Sequence, residues 1–141
     1  VSVGDAVREE GPASQVSYMG RGEQLLIVDD VKEQRELASQ MLEMLGYRVE
    51  AVASGEEALL YLKDRAIDLV ILDMIMEPGM DGLDTYRGMI DIRPGQRAII
   101  ASGFSETDRV HQAQLLGAGA FVRKPYMLEK IGLAVRSELD R

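Results

Sequence analysis

Short, continuous apolar runs separated by amphipathic stretches constrain this chain most. Leu25-Leu26-Ile27-Val28, Leu69-Val70-Ile71-Leu72 and Ala98-Ile99-Ile100-Ala101 have no polar face to offer water. That is the pattern of strands covered on both sides of a parallel sheet. Residues 48–52 and 120–123 complete a set of five predicted strands. Five segments of helical periodicity alternate with them. The first, 32–45, places Leu37, Ala38, Met41, Leu42 and Leu45 on one face, and Gly46 stops it. Ser54 is an N-cap for a helix to about Arg65, with Glu57 three residues on as in a capping box. Further helices are predicted from Asp81 or Gly82 to Ile92, from about Glu106 to Leu116, and from about Met127 to Leu139. Pro94-Gly95 and Gly117 are their stops, and Leu128, Ile131, Val135 and Leu139 give the last one its inward face. Parallel strands joined by helices require right-handed crossovers, which makes this a doubly wound α/β sheet.

With 141 residues, 46% of them hydrophobic and 28% charged, the chain has the composition of one globular domain with a short tail. Its formal charge of -8 opposes binding to nucleic acid or an anionic membrane surface. Without cysteine it has no disulfide and no thiolate zinc site. No apolar run approaches the roughly 18 residues of a membrane span. Residues 1–22 carry Gly4, Gly11, Pro12, Gly20 and Gly22 and show no periodicity, so a linker or the tail of a preceding domain is expected there, with the folded domain over 23–141. The first residue is Val1, which leads us to expect a piece of a longer protein.

Polar residues gather where the strands end. Asp29 and Asp30 follow the first strand, Asp73 ends the third, Ser102 follows the fourth and Lys124 the fifth. Ligands of open parallel sheets bind beyond the carboxyl ends of the strands, so these residues should converge. Three carboxylates brought together repel one another unless a cation neutralises them. Oxygen-only ligation suits Mg²⁺. Lys124 adds a fixed positive charge and Ser102 a hydroxyl, and the set suits a phosphoryl group carried on the Asp73 carboxylate. Each residue alone has a plainer reading. Asp29-Asp30 could cap a turn, Ser102 could be a turn residue, Lys124 a solvated charge, Phe121 core packing and Pro125 a strand end. Their coincidence favours the site.

Asp29-Asp30, Asp73, Ser102-Gly103, Phe121 and Lys124-Pro125 together resemble the response-regulator receiver domains, over 23 to about 139. The resemblance implies a flavodoxin-like (βα)5 doubly wound parallel sheet of strand order 2-1-3-4-5. It implies that Asp73 is phosphorylated from a phosphohistidine, and that Asp29, Asp30, Asp73 and the backbone carbonyl of Ile75 bind Mg²⁺. Ser102 and Lys124 would contact the phosphoryl group. Phe121 would be the switch aromatic that moves inward with Ser102, and the Lys124–Pro125 bond would be cis. The implied partner is a histidine kinase or a histidine phosphotransfer domain. A homodimer through the last two helices and the fifth strand is a further expectation, with no nucleic acid and no membrane bound by this domain. The segment 1–10, ending Arg8-Glu9-Glu10, resembles the tail of a histidine-kinase ATP-binding domain. That implies the C-terminal receiver of a hybrid sensor histidine kinase, cytoplasmic even where its parent kinase is membrane-associated.

One departure stands out. The stretch Met76-Glu77-Pro78-Gly79-Met80-Asp81-Gly82 is one residue longer than the family's usual pattern. It raises Glu77 as a side chain that could approach the phosphoryl group. Ile75 and Phe104 flank the path of attacking water and are expected to slow hydrolysis. Three rivals are weaker. A receiver-fold interaction module that does not use phosphorylation would not need every site residue. An aspartate-dependent phosphatase would want a carboxylate where Ile75 stands. A flavin phosphate would be repelled by Asp29 and Asp30. His111 is the only histidine, has no acidic neighbour and is not the phosphodonor.

Overall fold

The computed structural model describes residues 18–76, 79–103 and 107–141. Its elements alternate strictly: β1 (Gln24–Val28), α1 (Lys32–Met44), β2 (Arg48–Val52), α2 (Gly55–Asp64), β3 (Leu69–Asp73), α3 (Gly82–Ile92), β4 (Ala98–Ser102), α4 (Asp108–Leu115), β5 (Phe121–Arg123) and α5 (Leu128–Leu139). The strands form one parallel sheet in the order β2-β1-β3-β4-β5. This is the flavodoxin-like arrangement that the alternation of elements and the family resemblance imply.

Side chains alternate across a strand, and the sheet uses both faces. Leu26, Val28, Val70, Leu72 and Ile100 point into a core covered by Ala58 and Leu62 of α2, Leu83, Tyr86 and Met89 of α3 and Val110 of α4. Leu25, Ile27, Leu69, Ile71 and Ile99 point to the opposite core, beneath Ala38 and Leu42 of α1 and Ile131 and Val135 of α5. Two-sided burial is why β1, β3 and β4 read as unbroken apolar runs.

The helix starts follow their caps. The Ser54 hydroxyl accepts the Glu57 N–H at 3.1 Å, and the Glu57 carboxylate accepts the Ala53 N–H at 3.0 Å. The Asp81 carboxylate caps α3 by accepting the Asp84 N–H at 3.0 Å. Thr107 caps α4, whose helix begins at Asp108; Glu106, the expected start, lies outside the described residues. The α1 face needs a correction, because Leu37 is 39% exposed. The buried stripe of α1 and its end runs through Ala38, Leu42 and Leu45, with Met41 partly covered. Leu37 sits one helical step, about 100°, from Ala38, enough to turn it to the flank.

Residues 1–17 of the stretch read as a linker lie outside the described residues. The remainder packs on the domain upstream of Glu23. The Tyr18 ring is buried between α5 and the end of α1, where a Cβ on Gly132 would sit 2.4 Å from its Cδ1. The Gly20 N–H donates to the Leu45 carbonyl at 2.6 Å, and Arg136 Nη1 donates to the Met19 carbonyl at 3.2 Å. Arg136 also pairs with Glu23 and Asp140, both at 2.9 Å.

This strap makes Tyr18 and Gly132 a coupled pair. Tyr18→Ala should cost about 3 kcal/mol in urea unfolding, as for other buried aromatics. Gly132→Ala should cost about 1–3 kcal/mol by overpacking. In the Tyr18→Ala background that second cost should vanish, since alanine is the better helix former. Additive costs would contradict the packing.

Candidate functional site

The carboxyl ends of β1, β3, β4 and β5 bring the predicted residues together. Asp29 and Asp73 are buried at 1% and 5% exposure, whereas Asp30 faces solvent. One carboxylate oxygen from each of the three lies within 4.8 Å of the others. Lys124 reaches this group from the end of β5, with its Nζ 2.5 Å from Asp29 Oδ2 and 3.5 Å from Asp73 Oδ1. The Asp29 Oδ1 atom accepts the Val31 N–H at 2.9 Å, so the Asp29 carboxylate is held at both oxygens.

Asp73 is held less tightly. The Ile75 N–H reaches its Oδ1 over a long 3.4 Å. Burial raises the Asp73 pKa from the usual 3.8 to about 6. Lys124 opposes that rise, while Asp29 and Asp30 add to it. Asp73 thus has an oxygen less firmly held than those of Asp29, which Val31 and Lys124 engage on both sides.

The backbone around Asp73 is set by close approaches. Met74 N–H donates to the Ala101 carbonyl at 2.9 Å, and Gly82 N–H donates to the Met74 carbonyl at 3.0 Å. A Cβ on Gly82 would meet Met74 Cα at 2.6 Å and the Asp73 carbonyl oxygen at 2.7 Å. Glycine there lets the start of α3 abut the end of β3.

Ser102 is buried at the end of β4, and its carbonyl accepts the Lys124 N–H at 2.8 Å. The Ser102 and Lys124 backbones are thereby tied across the β4–β5 seam. Phe121 pairs with Ile100 in the sheet and is half-buried against the core. The Lys124–Pro125 bond is cis. The Ile75 side chain is 45% exposed beside Asp73. Glu77 and Phe104 lie outside the described residues.

Three further residues were not singled out from the sequence. Arg35 Nη1 donates to the Asp29 carbonyl at 2.9 Å, pinning the acidic turn to α1. The Tyr126 ring is buried with the Lys124 ammonium 5.9 Å from its centre, and burial together with the Asp29 and Asp73 charges pushes its phenol well above the ordinary range. Arg109 of α4 forks onto the Asp81 carboxylate at 2.6 and 2.9 Å. None is flagged by spacing, since each acts on a partner in another element or across a turn.

Hard carboxylate oxygens from Asp29, Asp30 and Asp73 fit a hard divalent cation such as Mg²⁺. The raised pKa of Asp73, driven by burial and added to by the Asp29 and Asp30 charges, fits the same group, because a second positive charge beside Lys124 would favour the ionised carboxylate.

Comparison with known proteins agrees with this geometry. Residues 25–136 match the response regulator receiver domain family. The sporulation initiation phosphotransferase F of Bacillus subtilis (strain 168) is 35% identical over 117 residues, covering 83% of this chain and 94% of that protein. The transcriptional regulatory protein CpxR of Escherichia coli (strain K12) is 34% identical over 117 residues, but the match spans only 49% of its length. A response regulator receiver domain protein from Clostridium thermocellum superposes with a TM-score of 0.78 at 29% identity, over 84% of this chain and 95% of that one. The chain therefore belongs to the response-regulator receiver domains of two-component signal transduction. Receiver domains generally bind Mg²⁺ and interact with histidine kinases or phosphotransfer proteins. No helix among the described residues is long and apolar enough to cross a membrane.

The raised pKa of Asp73 makes the stability of the metal-free protein depend on pH. The folded state binds this proton more strongly than the unfolded chain, so the stabilisation is complete below about pH 4 and lost as pH rises through about 6. Asp73→Asn should be more stable than wild type above pH 6 in chelator, by about 1–3 kcal/mol. The advantage should shrink as pH falls from 6 to 4. Urea unfolding across that range checks it, and parallel pH profiles for the two proteins would contradict it.

Proposed function

We propose that Asp73 accepts a phosphoryl group from the phosphohistidine of a histidine kinase or histidine phosphotransfer domain. The observation that carries this reading is the meeting of Asp29, Asp30 and Asp73 within 4.8 Å, with the Lys124 ammonium between two of them. An Asp73 carboxylate oxygen attacks phosphorus in line, the P–N bond to the donor imidazole breaks, and the imidazole leaves with the bonding pair and takes up a proton. The reaction needs Asp73 ionised, which the Lys124 charge favours. Mg²⁺ held by Asp29, Asp30, Asp73 and the Ile75 carbonyl would supply positive charge for the phosphoryl oxygens. Lys124 and the Ser102 hydroxyl contact those oxygens once the group has transferred. The pull on Ser102 draws Phe121 inward from its half-buried position, and the β4–α4 segment and the face of α4, β5 and α5 change with it.

Exposed apolar side chains on these elements, Leu115 of α4, Leu133 of α5 and Met127 at the α5 cap, support a homodimer through this region. The Arg8-Glu9-Glu10 stretch supports a place at the C-terminal end of a hybrid histidine kinase, with the reaction on the cytoplasmic side where kinase ATP is available. A receiver-fold interaction module that makes no use of phosphorylation is the alternative.

Intact mass spectrometry after incubation with Mg²⁺ and a small acyl phosphate tests the proposal. The chain has no Trp, so mass is preferable to fluorescence quenching. Wild type should gain one labile phosphoryl group, and Asp73→Asn should gain none. Lys124→Ala should be slower by about 10²-fold, the scale of losing one preorganised charge-stabilising donor. Failure of wild type to gain the group while still binding Mg²⁺ would favour the interaction module.

A further inference from the structure

The mouth of the site is bridged by an ion pair that the proposed phosphoryl chemistry does not use. Arg109, in the first turn of α4, donates from Nε to Asp81 Oδ2 at 2.6 Å and from Nη2 to Asp81 Oδ1 at 2.9 Å. It also lies 3.5 Å from Asp84. Asp81 is the N-cap of α3, so one carboxylate both starts α3 and anchors the start of α4. Burial works against the ionised Asp81, but the Arg109 fork and the Asp84 N–H outweigh it and hold the carboxyl below its ordinary range.

The bridge shares a cavity of about 460 Å³ with Ser102: Asp81 and Arg109 line it together with Met74, Ile75 and Ser102. Asp81 also closes the loop that is one residue longer than the family pattern. The described part of that loop is also tethered by the Glu56 carboxylate, which accepts the Met80 N–H at 3.3 Å. The start of α4 is thus attached to α3, and Ser102, the last residue of β4, precedes the first residue of α4 by six positions in the sequence.

We propose that Arg109 is a positioning residue: its forked pair with Asp81 holds the start of α4 in the unphosphorylated arrangement and restrains the movement of Ser102 toward the phosphoryl group. Releasing the pair lowers the cost of the switched arrangement, so phosphorylation by a small donor becomes faster. The inference rests on Asp73 being the acceptor.

The test is the rate of phosphoryl gain, by intact mass with Mg²⁺ and a small acyl phosphate, for wild type, Arg109→Ala and Arg109→Lys. Arg109→Ala should be faster than wild type by about two- to fivefold, the scale of an exposed ion pair. Arg109→Lys should fall between them, because lysine supplies the charge without the fork. At about 1 M salt, where the screening length is roughly 3 Å, the ratio of Arg109→Ala to wild type should approach one. A purely packing role for the side chain would leave the ratio independent of salt and would overturn the proposal. So would an Arg109→Ala rate equal to or below that of wild type. If wild type itself gains no phosphoryl group, the acceptor reading fails and the proposal falls with it.

Discussion

The contact of the Lys124 ammonium with the buried Asp29 and Asp73 carboxylates is the interaction around which this fold is arranged. Two buried carboxylates and a third at the surface are costly neighbours. One lysine offsets that cost only in part: burial first, and the Asp29 and Asp30 charges after it, leave the Asp73 pKa raised. The site is therefore left short of positive charge at neutral pH, which a divalent cation would supply. Asp29 is tied down by Val31 and Lys124, whereas Asp73 meets the Ile75 N–H only at 3.4 Å and Lys124 at 3.5 Å.

The architecture follows from the need to bring those groups together from five strand–helix units. Parallel strands place all their carboxyl ends on one edge, so residues far apart in the chain meet without a long loop. Alternation across each strand gives the sheet two cores and makes the central strands rigid supports. Gly82 brings α3 against the end of β3, and the Ser102 and Lys124 backbones are joined across β4 and β5. A strap at 18–22 closes the seam between α1 and α5 on the far core.

The parts legible in the sequence were those with a local signature. Unbroken apolar runs exposed the three central strands, and Ser54 and Asp81 marked helix starts through hydrogen bonds within the first turn. The acidic, hydroxyl and lysine residues were recognisable because each directly follows or ends a strand. Tyr18 was hidden, since one aromatic in a glycine-rich stretch has no period, and its partner Gly132 lies near the other end of the chain. Leu37 was misplaced because helical periodicity fixes a face only to within a residue's rotation. Arg109 and Asp81 are 28 residues apart, and their pairing depends on how α3 and α4 pack. The depression or elevation of a carboxyl's acidity is also a tertiary property: Asp73 and Asp81 are the same residue type and are shifted in opposite directions by their surroundings.

Fluorine NMR with beryllium fluoride, which mimics a phosphoryl group on a carboxylate, tests the central account most directly. Wild type with Mg²⁺ should show discrete bound-fluoride resonances. They should be absent without Mg²⁺ and absent in Asp73→Asn. Bound resonances that persist in Asp73→Asn, or none in wild type at saturating Mg²⁺, would contradict a site built from Asp29, Asp30, Asp73 and Lys124 to hold a cation and a phosphoryl group together.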